Sequence, residues 1–212
     1  MQLKDVIEQR KTIKRFDPTV KIPRKELEEI FTLALKAPSK ANLQPWRFVV
    51  VDDEAQKSRL LGSVAHNVPP CETAPVLVLV LADLAYEKLL GDILDFSVEK
   101  GCLGAGFRQN AFNFLLSVHQ AALPAEIRDQ VLIDTSLAAM QLMLAIKDKG
   151  YDSHAIGIFN RQAVLELLEV DAERYAPVML LAVGKSATDP VPSVRLPLEY
   201  MLSWNNGKGF KK

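Results

Sequence analysis

Hydrophobic positions along the chain fall into two periods. Near the start, Leu3, Val6 and Ile7 form the apolar side of a short helix, and Leu27, Ile30, Phe31 and Ala34 recur at helical spacing over Arg24 to about Lys36. Phe48–Val51 and Ala74–Ala82 are continuous apolar runs, too short for buried helices, and read as strands; the second is apolar on both faces and therefore central in its sheet. Glu54 to Ala65 reads as a helix with Leu60, Leu61 and Val64 inward, broken at His66-Asn67-Val68-Pro69-Pro70. From Tyr86 to about Asn113 no period stands out. The longest helix is expected from about Ile127 to Lys149, closed by Gly150, and its segment Leu137–Ile146 is apolar nearly all round. A helix without a wet face is buried in a core or against another subunit, and the limited interior of a chain this size favours the subunit interface. Asn160 is placed to cap a following helix, and Ala176–Gly184 is a third strong strand.

The connection Ala37-Pro38-Ser39-Lys40-Ala41-Asn42-Leu43-Gln44-Pro45-Trp46-Arg47-Phe48 stands out between two regular elements. Pro38 and Pro45 stiffen it, and Ser39, Asn42 and Gln44 offer groups that donate and accept hydrogen bonds. Those groups either recognise the polar edge of a ring or close the loop on its own backbone. Arg10-Lys11-Thr12-Ile13-Lys14-Arg15-Phe16 gathers four cations and a hydroxyl, which suits a solvated face, a nucleic-acid patch or a phosphate cradle. Lysine plus arginine equals aspartate plus glutamate at 26 each, and this neutrality argues against nucleic acid or an anionic membrane as partner.

The pattern Ala-Pro-Ser-x-x-Asn-x-Gln-Pro-Trp-x-Phe at 37–48 resembles the signature loop of the nitroreductase family of FMN-dependent NAD(P)H oxidoreductases. The resemblance extends over nearly the whole chain. It implies an α+β fold with a central, mostly antiparallel sheet flanked by helices, in an intertwined homodimer. One domain would span 1–212, with an excursion at about 86–122 walling the substrate pocket and a C-terminal arm from about 185 embracing the partner.

By the same resemblance, Arg10, Lys11 and Thr12 would meet the FMN phosphate and ribityl chain, and Lys14 would approach the pyrimidine side of the ring. A cation there favours the charge that builds at N1 and O2 during hydride uptake. Pro38, Ser39, Asn42 and Gln44 of one subunit would lie against the flavin held mainly by the other. Asn67 is a candidate partner of the isoalloxazine edge, or merely the residue stopping a helix. The amides of Ile156 and Gly157 would face N5 and O4, and Arg195 would bind the phosphate. Ser193 departs from the family's closing pair of cations, so one phosphate contact is neutral or supplied elsewhere. No side chain need act as an essential acid or base.

Other chemistries find less support. Gly101–Gly106 lacks dinucleotide-loop spacing, and Ser63 lacks a nucleophile elbow. His66, His119 and His154 are isolated, which speaks against a metal centre. Two cysteines, Cys71 and Cys102, without a disulfide framework fit a reducing cytoplasm. The N-terminus lacks a signal-peptide core, and the longest purely apolar run is less than half of the roughly 20 residues a spanning helix needs. The expected activity is ping-pong electron transfer from NAD(P)H through FMN to a nitroaromatic, quinone or similar flat acceptor. A storage, sensing or assembly protein that binds FMN with little turnover is the alternative.

Overall fold

A computed structural model describes residues 1–211. Its sheet has four strands, β1 (Trp46–Val51), β2 (Val76–Asp83), β3 (Asp152–Ile156) and β4 (Tyr175–Gly184), in the order β1-β2-β4-β3, every pair antiparallel. β2 is buried at all its positions, as its two-sided hydrophobicity requires. Leu77, Leu79 and Leu81 join a core with Phe16, Leu60, Val164 and Leu180. Val76, Val78 and Val80 point the other way, against Leu27, Ile30, Ala34, Leu142 and Ile146. The helices α2 (Arg24–Ala34) and α7 (Pro124–Asp148) cover that second face; α3 (Glu54–Leu60), α4 (Val68–Thr73) and α8 (Arg161–Leu167) lie on the first. A short α1 (Leu3–Gln9) packs against α7.

Capping follows the sequence closely. Asn160 accepts from the Ala163 N–H at 3.1 Å and Asp53 from Gln56 at 2.8 Å, supplying first-turn amides of α8 and α3. Glu126 accepts from the Leu123 N–H at 2.8 Å at the start of α7.

Four expectations are corrected. The helix from Glu54 ends at Leu60 rather than Ala65, and the chain continues in two short 3₁₀ turns where Ser63 accepts from the Asn160 N–H. Pro69 and Pro70 do not break a helix but begin one, because the first turn of α4 has no use for their missing N–H groups. The patternless stretch after Tyr86 folds into α5 (Leu90–Glu99) and α6 (Arg108–Ala121), a hairpin at the margin of the protein. None of the residues of α6 is fully buried, so its helical period carries little hydrophobic contrast. β3 was not expected because Asp152, Ser153 and His154 are polar, yet all three are buried.

The Asp152 and His154 side chains have particular partners, and Ser153 engages through its backbone. Lys147 pairs with Asp152 at 2.8 Å. Thr12 bridges Ser153 in parallel, and His154 Nδ1 donates to the Ile13 carbonyl at 2.9 Å. The N-terminal segment is thereby laid along the outer edge of β3. The chain after β4 returns beside the same segment, with Ala187 donating to Arg15 and Val191 to Thr12.

Burial, reinforced by the charges of Lys14 and His66 and partly opposed by the Ile13 carbonyl, holds the His154 imidazole below its ordinary pKa. The unfolded chain therefore takes up a proton below about pH 6.5, whereas the folded chain does so only at lower pH. Stability is expected to fall as pH drops through that window, and urea midpoints at about pH 7.5 and 5.5 should show the loss. His154→Asn should reduce that pH dependence; an unchanged slope in the variant would remove His154 as its source. A second expectation concerns Gly184, where an added Cβ would lie 2.6 Å from Pro75 and 3.1 Å from the Phe16 ring. Gly184→Ala should cost about 1–3 kcal/mol in chemical denaturation, because rigid neighbours must move.

Candidate active site

Two groups of expected site residues emerge on opposite edges of the sheet. At the β3 edge, Thr12 and Lys14 flank Ile13, which is buried beside Ile156 in one core. β3 ends at Ile156, with its side chain inward, and Gly157 follows. A Cβ added to Gly157 would meet nothing within 4 Å, so this turn presents bare backbone to open space, as the approach of a flat ring requires. Arg161 donates to the Gly157 carbonyl at 3.1 Å and sits over the Phe159 ring. Asn67 is buried and donates from Nδ2 to the Ile158 carbonyl at 3.2 Å. Its amide braces the Gly157–Ile158 turn, a role its position in the chain did not reveal.

Four unpaired cations within six residues mark this edge. Most cations elsewhere are neutralised: Arg24 by Asp52, Arg108 by Asp95, Lys149 by Glu29 and Arg174 by Asp83. Among the described residues, Arg10, Lys11, Lys14 and Arg15 have no carboxylate within ion-pair distance, although the whole chain is neutral. Uncompensated positive charge on one segment is the arrangement an anionic phosphate requires. Arg195, four residues beyond the Val191–Thr12 contact, donates only to the adjacent Val194 carbonyl and is exposed. Its guanidinium makes no carboxylate contact among the described residues.

The loop 37–46 lies at the other edge, at the start of β1. Antiparallel alternation points this loop and the Gly157 turn toward the same end of the sheet, three strand spacings or about 14 Å apart across the strands, and the register offsets them by four residues, about 13 Å, along the strands. Leu43 and Trp46 are buried and anchor it, while Pro38 and Asn42 stand exposed. Ser39 Oγ accepts from the Gln44 N–H at 3.1 Å, and Gln44 Nε2 donates to the Asn42 carbonyl at 3.2 Å. Part of the loop's polar inventory therefore closes on its own backbone, leaving the side chain of Asn42 outward. Ala41, Asn42 and Gln44 all have φ near +50°, a region non-glycine residues enter at a cost.

The structure thus brings Arg10, Lys11, Thr12, Lys14, Asn67, Ile156 and Gly157 to one edge and leaves Pro38, Ser39, Asn42 and Gln44 at the other. Residues that sequence reasoning passed over are Arg161 and the carboxylates Asp83 and Asp134, both buried beside the loop. The donor set suits FMN: free cations for a phosphate, bare backbone at Gly157 for the ring, and amides for its polar edge.

Comparison with known proteins agrees with this arrangement. The model of the nitroreductase family matches residues 7–185. YdgI of Bacillus subtilis, described as an NAD(P)H nitroreductase, is 36% identical over 201 residues, spanning 94% of this chain and 96% of that protein. A CLA biosynthesis enone reductase from Lactiplantibacillus plantarum is 32% identical over 194 residues, 91% of this chain and 89% of its own. A solved structure from Exiguobacterium sibiricum, described as a nitroreductase in complex with FMN, superposes with a TM-score of 0.94 at 33% identity, covering 97% and 98% of the two chains. With the fold, the flavin-compatible edge and these likenesses in agreement, this chain belongs to the nitroreductase family and is an FMN-dependent NAD(P)H oxidoreductase.

Proposed function

We propose that two copies of this chain share each flavin, and that the enzyme reduces flat conjugated acceptors: nitroaromatics, quinones or enones. The observation that carries this reading is the separation of the two residue groups. About 14 Å across the strands and about 13 Å along them separate the loop 37–46 from the Gly157 turn, so one ring at the β3 edge is met by the loop of a second subunit, not its own. The exposed apolar surface supports pairing. Ile133, Leu137 and Met140 form an uncovered side of α7, and the arm beyond β4 exposes Val194, Leu196, Leu198, Met201 and Trp204. Trp204 alone is 79% exposed, an arrangement that covering by a partner would relieve. α7 is long and apolar enough to cross a membrane by length and composition, but it packs on α2 and the sheet. We place the enzyme in the cytoplasm, a reading supported by the free thiols of Cys71 and Cys102.

The chemistry FMN would supply at this edge is hydride acceptance from NAD(P)H and electron delivery to the acceptor at one face, which would make the kinetics ping-pong. The chain's own residues bind and orient it. Arg10, Lys11 and Arg195 neutralise the phosphate, and Thr12 adds a hydroxyl. Lys14 places positive charge on the pyrimidine side, and the backbone N–H groups at Ile156 and Gly157 set the position of the ring. Asn67 holds that turn in place. Phe107 and Phe114, exposed on and beside α6, supply aromatic surface toward the acceptor.

Purified protein should carry a yellow chromophore that bleaches on anaerobic addition of NADH and recovers with a quinone; folded protein that binds flavin without bleaching would sink the enzymatic reading. Arg195→Ala removes a charge-assisted hydrogen bond worth about 1.5–3 kcal/mol, so the FMN Kd should rise by about one to two orders of magnitude. Unchanged affinity would take Arg195 out of the site. Asn42→Ala should weaken FMN binding in the dimer, and an equal effect in a verified monomer would contradict the shared site.

A further inference from the structure

The loop that carries Ser39, Asn42 and Gln44 holds three non-glycine residues in the left-handed region, with φ of 49° at Ala41, 59° at Asn42 and 48° at Gln44. Nothing in a short proline-flanked connection selects that backbone by itself. Two bonds within the loop, Gln44 N–H to Ser39 Oγ and Gln44 Nε2 to the Asn42 carbonyl, hold part of it; further constraints come from outside the loop. Asp134, on α7, is 3% exposed, and both its oxygens accept from the Lys40 N–H at 3.2 Å. Its other partner is the Gln130 amide at 3.0 Å, and it has no lysine or arginine within ion-pair distance among the described residues. A buried carboxylate without a counter-ion is costly, and burial indeed pushes the Asp134 carboxyl above its ordinary range.

The far end of the loop is held by a second buried carboxylate. Asp83 is fully buried; Arg174 bonds both its oxygens at 2.9 Å, and Arg47 Nη2 reaches Oδ2 at 3.0 Å. The other arm of Arg47 donates to the carbonyls of Gln44 at 2.9 Å and Trp46 at 2.6 Å. The backbone N–H of Asp83 donates to Pro45 at 2.7 Å. The loop is thus gripped at Lys40 by one carboxylate and at Gln44–Trp46 through a guanidinium fixed by the other. Packing alone would be served as well by apolar residues at these positions, so the buried charges point to conformational selection.

We propose that Asp134 and the Asp83–Arg47 pair are positioning residues for flavin binding: they hold Ala41, Asn42 and Gln44 in the left-handed backbone that directs Asn42 outward. This rests on the reading that the loop meets flavin. Neither carboxylate touches the flavin; each acts through loop amides or carbonyls.

The test is a double-mutant cycle read as FMN Kd by quenching of flavin fluorescence, using Asp134→Ala, Asn42→Ala and the double variant. Asp134→Ala should raise the Kd about tenfold and alter the visible circular dichroism of the bound flavin. In the Asn42→Ala background the same change should have an effect of about threefold or less, since the two act through one contact. Asp134→Asn keeps a carbonyl that accepts from Lys40, and should restore both affinity and spectrum. A wild-type Kd and spectrum for Asp134→Ala, or an undiminished loss in the Asn42→Ala background, would overturn the proposal. If Asn42→Ala alone leaves the Kd unchanged, the loop reading itself fails; if only Asp134→Ala is silent, the positioning claim fails and the loop reading stands. Should Asp134→Ala not fold, Arg47→Lys replaces it in the same cycle, because an ammonium cannot span Gln44, Trp46 and Asp83 together. Its predicted and disqualifying results are the same.

Discussion

The two-sided burial of β2 governs this molecule. A strand with no wet face must be flanked by strands and covered above and below, and β1 and β4 pair with it while helices close both sides. Because β4 also pairs with β3, the order β1-β2-β4-β3 sends the Pro-rich loop and the Gly157 turn to opposite edges. The separation of these two groups of residues is therefore a consequence of how the core is filled.

Charge is distributed to match. Where cations serve the fold they are paired and partly sheltered, as Arg174 and Arg47 are on Asp83 and Lys147 on Asp152. Along residues 10–15 four cations stand close together without carboxylates, so a chain of zero net charge carries a locally positive segment there. That segment lies against polar strand residues. Ser153 through its backbone carbonyl and His154 through Nδ1 hold the N-terminal segment, and the tail then pairs with that segment in turn.

Much of the fold was legible. β1, β2, β4, α2 and α7 announced themselves because their side chains face a core and leave a clear period or run. β3 was silent because its burial rests on hydrogen bonds and an ion pair rather than on apolar side chains. α5 and α6 were silent because they sit at the margin, where inward and outward positions differ little in hydrophobicity. Pro69 and Pro70 misled for a third reason: the same residue ends a helix from inside and begins one from its first turn.

For the site, residue types alone determined that a stiff polar loop, a cationic segment and a late arginine were present, and their order marked the family. Which of them share an edge was decided only in three dimensions, because sheet order depends on pairings between residues far apart in the chain. The same holds for Asp83, Asp134 and Asn67. Read in sequence they are an acid at a strand end, an acid inside a helix and an asparagine before a turn. Only folding brings the Asp134 carboxylate against the Lys40 N–H, the Asn67 amide against the Ile158 carbonyl, and the Asp83 carboxylate against Arg47 and Arg174.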